Sequence, residues 1–147
     1  MSGEQQTHDP AKVTLIFGGT QIKQFAKGTM IKVAYDEEQF TDAVGGDGRV
    51  VRMRNANRAG KIEFTLMAAS PSNDYLSDMA AADFLGGTGV NEVQVKDGTG
   101  TSKAHDGNAW LTKTADVEHS SEPGMERAWT IRCPHLESFV GGTTALG

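Results

Sequence analysis

Charge is sorted along one part of this chain in a way that suits the binding of another charged surface. Asp36, Glu37, Glu38, Asp42 and Asp47 follow one another with no base between them, and Arg49, Arg52, Arg54, Arg58 and Lys61 follow with no acid between them. The two blocks can pair weakly within the chain, because exposed ion pairs contribute only ~0–1 kcal/mol each. Alternatively, the acids of one copy reach the bases of another. That second arrangement joins two different patches, and such a heterologous contact closes into a ring or continues as a filament. Spacing alone leaves both arrangements open.

Other reactive side chains do not assemble into a site. The histidines are His8, His105, His119 and His135, with no second histidine at helical ligand spacing, so no zinc site and no metal cofactor is expected. His105-Asp106 and His119-Ser120-Ser121 lie in loop-like contexts, and no Gly-x-Ser-x-Gly elbow presents a nucleophile. The run Gly98-Thr99-Gly100-Thr101-Ser102-Lys103 lacks the Gly-Lys-Ser/Thr ending of a phosphate loop and is not followed by a helix, so it reads as a hairpin connection. Cys133 is the single cysteine, and its neighbours Ile131 and Pro134 make it read as a small buried apolar residue. No disulfide within the chain and no catalytic constellation follows, and no cofactor is expected.

Composition agrees with one soluble domain over residues 1–147. The chain has 37% hydrophobic and 22% charged residues, ordinary for a globular protein, and 18 glycines, which imply many turns and short strands. A net charge of −5 argues against tight wrapping of nucleic acid, which depends on Lys and Arg neutralising phosphates. The polar start, Met1 to Asp9, has no apolar run of a signal peptide, and no segment approaches the ~20 apolar residues of a membrane span. Folding in a cytoplasm, without a membrane partner, is the expectation.

The elements that must position the charge blocks are mostly strands. After a polar arm over 1–10, Lys12–Phe17 alternates Val13, Leu15 and Phe17 and ends at Gly18-Gly19; Gln21–Gly28 and Met30–Tyr35 read as further strands. Residues 36–48 read as a long acidic loop, and Gly48–Met67 as a hairpin turning at Asn55–Gly60, with Val51 and Met53 facing the same way as Ile62, Phe64 and Leu66. A helix is expected over about 71–85, capped by Ser70 or Ser72, with Pro71 in its first turn and Asp74 near the positive end of its dipole. Tyr75, Leu76, Met79, Ala80, Ala82 and Phe84 form its apolar stripe, and Gly86-Gly87 ends it. Val90–Lys96, Ala109–Val117 and Met125–Cys133 are the last strands, and residues 141–147 form a flexible tail.

Three motifs in order, Phe40-Thr41-Asp42-Ala43-Val44-Gly45-Gly46-Asp47-Gly48, Asn55-Ala56-Asn57-Arg58-Ala59-Gly60 and Ser70-Pro71-Ser72-Asn73-Asp74-Tyr75-Leu76, resemble the tube proteins of bacteriophage contractile tails. The resemblance is dense from about Asp36 to Met79 and looser elsewhere. It implies a mainly β (β+α) fold, an antiparallel β-sandwich or barrel with one flanking helix, related to the tube protein of secretion systems. It further implies a non-enzymatic virion subunit that forms stacked hexameric rings inside a sheath. Through such a tube phage DNA and a tape-measure protein pass without specific binding, and a baseplate and a tail-terminator protein close its ends.

By that resemblance the acidic and basic blocks are candidate contacts between subunits or rings. An acidic lumen would repel phosphate, and Glu63, Glu92 and Asp116 are the candidate lumen acids. Two alternatives remain at this stage: a tube subunit of a headless injection particle or secretion system, and a monomeric β-barrel with Trp110, Trp129 and the helix stripe around a small-ligand cavity.

Overall fold

The computed structural model of the chain describes residues 13–26, 31–98, 100–117 and 125–141. The polar arm at 1–10 and all of the tail after residue 141 lie outside the described residues, as do His8 and His119.

Among the described residues the chain forms the strands β1 (Val13–Phe17), β2 (Thr20–Ile22), β3 (Ile31–Tyr35), β4 (Phe40–Val44), β5 (Val50–Arg54), β6 (Gly60–Met67), β7 (Asn91–Asp97), β8 (Lys103–Leu111), β9 (Glu126–Cys133) and β10 (Glu137–Phe139), with one helix, α1 (Ser72–Gly86). Alternating apolar residues give β1, β6, β7, β8 and β9 a buried face, whereas β4 and β5 bury neither. All pairings between strands are antiparallel. Eight strands join in one sheet with the path β2-β1-β7-β8-β9-β6-β3, and β10 pairs with β8. β8 serves both halves, pairing with β7 through Lys103–Ala109 and with β9 through Trp110 and Leu111, with a register shift between Asn91 and Val93. The two halves share one core of Leu15, Phe17, Val93 and Val95 with Ile62, Phe64, Leu66, Trp129 and Ile131. In β6 the alternation is complete: Ile62, Phe64 and Leu66 are buried, while Lys61 is exposed and Glu63 and Thr65 are half-buried.

The expected pairing of residues 48–67 is wrong, and register shows why. β5 pairs with β4, whereas β6 lies between β3 and β9. Tyr35 opposes Gly60, and Phe40 opposes Arg54. Five steps outward (35 to 40) are therefore matched by six on the return (54 to 60), so the return strand carries one extra residue. β3–β4 and β5–β6 thus form a single long antiparallel ribbon, interrupted by an irregular joint at 36–39 and 55–59, and turning at Gly45–Gly48 rather than at 55–60. The expected acidic loop over 36–48 is likewise corrected, because its middle, Phe40–Val44, is a strand.

The helix matches its expected span, but its start is built differently. Ser72 N–H donates to Ser70 Oγ at 3.2 Å, Ser70 Oγ donates to the Lys23 carbonyl at 2.6 Å, and Lys23 N–H donates to Ser72 Oγ at 3.0 Å. No side chain caps the helix; the two serines instead tie its entry to the segment after β2. Asn73 completes the joint, with Nδ2 donating to the carbonyls of Met67 and Ser70 and Oδ1 accepting the indole N–H of Trp129 at 2.9 Å. Tyr75 OH donates to the Phe17 carbonyl at 2.8 Å. Gly87, at φ +67°, ends the helix in the left-handed conformation that glycine tolerates best. The apolar stripe is only partly inward: Leu76 is buried and Tyr75, Met79 and Ala80 pack on the core, whereas Phe84 is 90% exposed.

Candidate assembly interface

The β4–β5 hairpin is a two-stranded sheet of its own, and every one of its ten strand residues is exposed. A lone hairpin is at best marginally stable in water and ordinarily needs a third strand or a packed partner. Five of its side chains, Phe40, Val44, Val50, Val51 and Met53, are large and apolar. Its two faces differ. Thr41, Ala43, Val51 and Met53 form an uncharged face, while Phe40, Asp42, Val44, Val50, Arg52 and Arg54 form the other. The turn is held internally, as Arg49 N–H donates to Asp47 Oδ1 at 3.0 Å and Gly48 takes φ +83°.

The joint below the hairpin uses much of the acidic block inside the chain. Asp36 forms an ion pair with Arg132 of β9. The hydrogen bond from Arg132 lowers the Asp36 pKa, against a smaller opposing effect of desolvation. Glu37 Oε2 accepts from Asn55 Nδ2 at 2.8 Å and from Asn57 Nδ2 at 3.1 Å, and these bonds lower its pKa. Asn55 and Asn57 each also accept a backbone N–H two residues on, so the Asn-x-Asn-Arg sequence shapes the extra-residue joint. Arg58 stacks on Tyr35, 5.5 Å from the ring centroid, and donates to its hydroxyl at 3.0 Å. The motif ends at Gly60 because a Cβ there would stand 2.5 Å from the Ala34 carbonyl oxygen and 2.6 Å from Leu136 Cδ2.

The ten candidate contact residues therefore divide. Asp36, Glu37 and Arg58 are engaged in the joint, Asp47 pairs with Arg49 at 3.5 Å, and Lys61 pairs with Glu63 at 3.1 Å. Glu38, Asp42, Arg52 and Arg54 have no ion-pair partner among the described residues, although the Arg52 guanidinium sits 4.4 Å above the Phe40 ring. The candidate lumen acids are not brought together as a bare acidic patch. Glu63 lies on β6 beside Lys61, Glu92 lies on β7 and meets His105 at 3.2 Å, and Asp116 follows β8 beside Lys113 at 3.1 Å. The hydrogen bonds from His105 and then Gln94 lower the Glu92 pKa.

Elsewhere the chemistry is structural. Cys133 is fully buried, and desolvation pushes its thiol up to about 12. Buried Asp106 accepts the backbone N–H groups of Asn108 and His135, both at 2.8 Å, and so ties β8 to the turn after β9. No group of side chains suited to a metal ion occurs among the described residues. Trp129 is packed in the core and Trp110 is half-buried. A surface groove of about 450 Å³ lies instead beside β10, lined by Arg58, Lys96, Lys103, His105 and Phe139 among others. The sequence did not mark the exposed apolar end of α1, because Phe84 read there as part of the apolar stripe and Leu85 only as the helix's end.

Comparison with known proteins agrees with this architecture. A structural protein of Pseudomonas phage KPP10, ORF10, is 26% identical over 150 residues, covering 97% of this chain and 86% of the relative. Among solved structures, the sheath/tube terminator of an extracellular contractile injection system has a TM-score of 0.63 at 14% identity, covering 94% of this chain and 100% of the other. The sheath–tube complex of the same kind of system gives 0.62 at 14% identity, with 94% of each chain covered. The tube-terminating cap of the anti-feeding prophage gives 0.60 at 14% identity, with 92% of each covered. These likenesses show a shared fold, which in this chain is mainly β and antiparallel with one helix among the described residues. The family model for the bacteriophage PhiTE tail tube protein matches residues 11–141, and the chain accordingly belongs to that family, as a structural protein of the phage tail and not an enzyme.

Proposed function

We propose that the chain is the repeating subunit of a phage tail's inner tube, closing into hexameric rings that stack and conduct DNA into the host. One observation carries the reading beyond family membership: the β4–β5 hairpin projects from the sheet with both faces exposed and five large apolar side chains on it. Such a hairpin gains its stability from a neighbour. The free charges Glu38, Asp42, Arg52 and Arg54 are its proposed specificity elements, and Asp36, Glu37 and Arg58 hold it at the angle the neighbour requires.

In this reading a sheath surrounds the tube, the tape-measure protein and DNA occupy the lumen, and baseplate and terminator proteins cap its ends. Assembly takes place in the host cytoplasm and the product is part of the virion. The lumen wall is proposed to be weakly charged rather than strongly acidic, since Glu63, Glu92 and Asp116 each have a cationic or ionisable neighbour. A subunit of a headless injection particle would use the same contacts; the phage relative favours the tail.

Electron microscopy of the purified protein at rising concentration tests the proposal. Rings or tubes are expected, and a species that stays monomeric at all concentrations and salts would overturn it.

A further inference from the structure

The solvent face of α1 is as incompletely covered as the hairpin. Asp74, Asp78, Ala81, Ala82 and Leu85 are all exposed and fall on one stripe at i, i+4, i+7, i+8 and i+11, with Phe84 at its edge. Phe84 and Leu85 are 90% and 84% exposed. The opposite side carries Leu76 and Met79 against the core, so the helix is apolar on both sides, which is the pattern of a helix that is covered all round. No Lys or Arg lies within α1.

From the helix start, the stripe reads acid, acid, small apolar, large apolar. One face of the hairpin, followed backwards along β5, reads Arg54, Arg52, Val50, with Val44 directly across from Val50. The spacings also agree. Alternate residues on a strand are ~6.8 Å apart, and residues four apart on a helix are separated by ~6 Å along its axis. Laid antiparallel, Arg54 meets Asp74, Arg52 meets Asp78, and the two valines meet Ala81, Ala82 and Leu85. The small alanines let the strand backbone come close.

We propose that the β4–β5 hairpin of one copy docks along α1 of a second copy in this register. The inference rests on the self-assembly reading above and names the surface that receives the hairpin. Charge and apolar order on the two surfaces are complementary, and both surfaces belong to this chain. Neither is used within it, because all ten hairpin strand residues are exposed and Arg52, Arg54, Asp74 and Asp78 have no ion-pair partner among the described residues. Phe40 holds the Arg52 guanidinium in place from 4.4 Å. Asp42, opposite Arg52 on the hairpin, leaves this face with a net positive charge of one: two arginines against one aspartate.

The test is a charge exchange read by electron microscopy and by the concentration at which tubes appear. R52D alone and D78R alone should each raise that concentration about tenfold or more, since each sets like charges against one another. R52D combined with D78R should restore tubes near the wild-type concentration. As a second measurement, Arg54→Cys with Asp74→Cys should give covalent ladders on mild oxidation, because Cys133 is buried and does not compete. Single charge variants that assemble like wild type, or failure of R52D with D78R to recover together with no ladder from the cysteine pair, overturn the register while leaving self-assembly standing. Wild-type protein that never assembles overturns both.

Discussion

Replacing Asn73 by alanine removes a joint that four parts of the chain share. Its Nδ2 donates to the carbonyls of Met67 (3.0 Å), Ser70 (3.1 Å) and Ala68 (3.3 Å), and its Oδ1 accepts from Trp129 Nε1 at 2.9 Å. Trp129 is only 3% exposed, so its indole N–H finds little water when Asn73 is gone. A buried donor left without a partner costs about 1–3 kcal/mol. Losing the turn that delivers the chain into α1 resembles losing a helix cap, about 0.5–2 kcal/mol. Because Asn73 is itself partly exposed, water replaces some of the carbonyl contacts, and the sum expected is about 2–4 kcal/mol. At about 2–4 °C per kcal/mol for a chain of this size, Tm falls by about 4–16 °C. The assay is denaturant unfolding of unassembled protein followed by circular dichroism, with Trp129→Phe as the second arm of a double-mutant cycle. The two changes should be less than additive by about 1 kcal/mol or more. A loss below about 0.5 kcal/mol for Asn73→Ala, or strict additivity, would refute the reasoning.

Gly60→Ala places a methyl group against the Ala34 carbonyl and Leu136, and overpacking of that kind should cost about 1–3 kcal/mol in thermal unfolding. Cys133, with its thiol pushed up to about 12, should resist maleimide at pH 8 in the native protein and react at the rate of global unfolding; fast native labelling would contradict the burial. Asp36 and Glu37 titrate below their ordinary 3.8 and 4.5 when folded, so as pH falls the unfolded chain takes up protons first. Their contribution is complete above that range and is lost towards lower pH. Amide exchange at residues 55–59, corrected for its intrinsic pH dependence, should therefore lose protection only on acidification below about pH 4.

Strands with one buried and one wet face were the most legible in the sequence; β5, exposed on both faces, was read as a strand from Val51 and Met53 but given the wrong partner. β1, β6, β7 and β9 alternate, and the alternation located them. β4 escaped because both its faces are exposed, so Phe40-Thr41-Asp42-Ala43-Val44 has no inside to mark. Gly45-Gly46-Asp47-Gly48 was nevertheless a hairpin turn lying between two five-residue runs. β8 was expected to begin at Ala109, since buried Asp106 and exposed Gly107 interrupt its pattern three and four residues after the strand starts at Lys103. Residue type also could not separate the acids that clamp the joint from those left free. That distinction depends on Arg132, Asn55 and Asn57, which reach Asp36 and Glu37 only after the ribbon forms.

This division of the charge blocks changes what they can do. A contact built from ten opposed charges would be strongly salt-dependent, whereas the chain leaves only Glu38, Asp42, Arg52 and Arg54 free among them. Exposed charges of this number steer encounter and fix register more than they hold two surfaces together. Affinity must then come mainly from Phe40, Val44, Val50, Val51 and Met53, which a monomer would have little reason to expose on so thin an element. At about 25 cal/mol per Å² of apolar surface removed from water, burying these side chains outweighs the ~0–1 kcal/mol of each rim pair. Raised salt should accordingly slow tube growth more than it dissolves finished tubes, and Met53→Glu should be more damaging than loss of any one arginine.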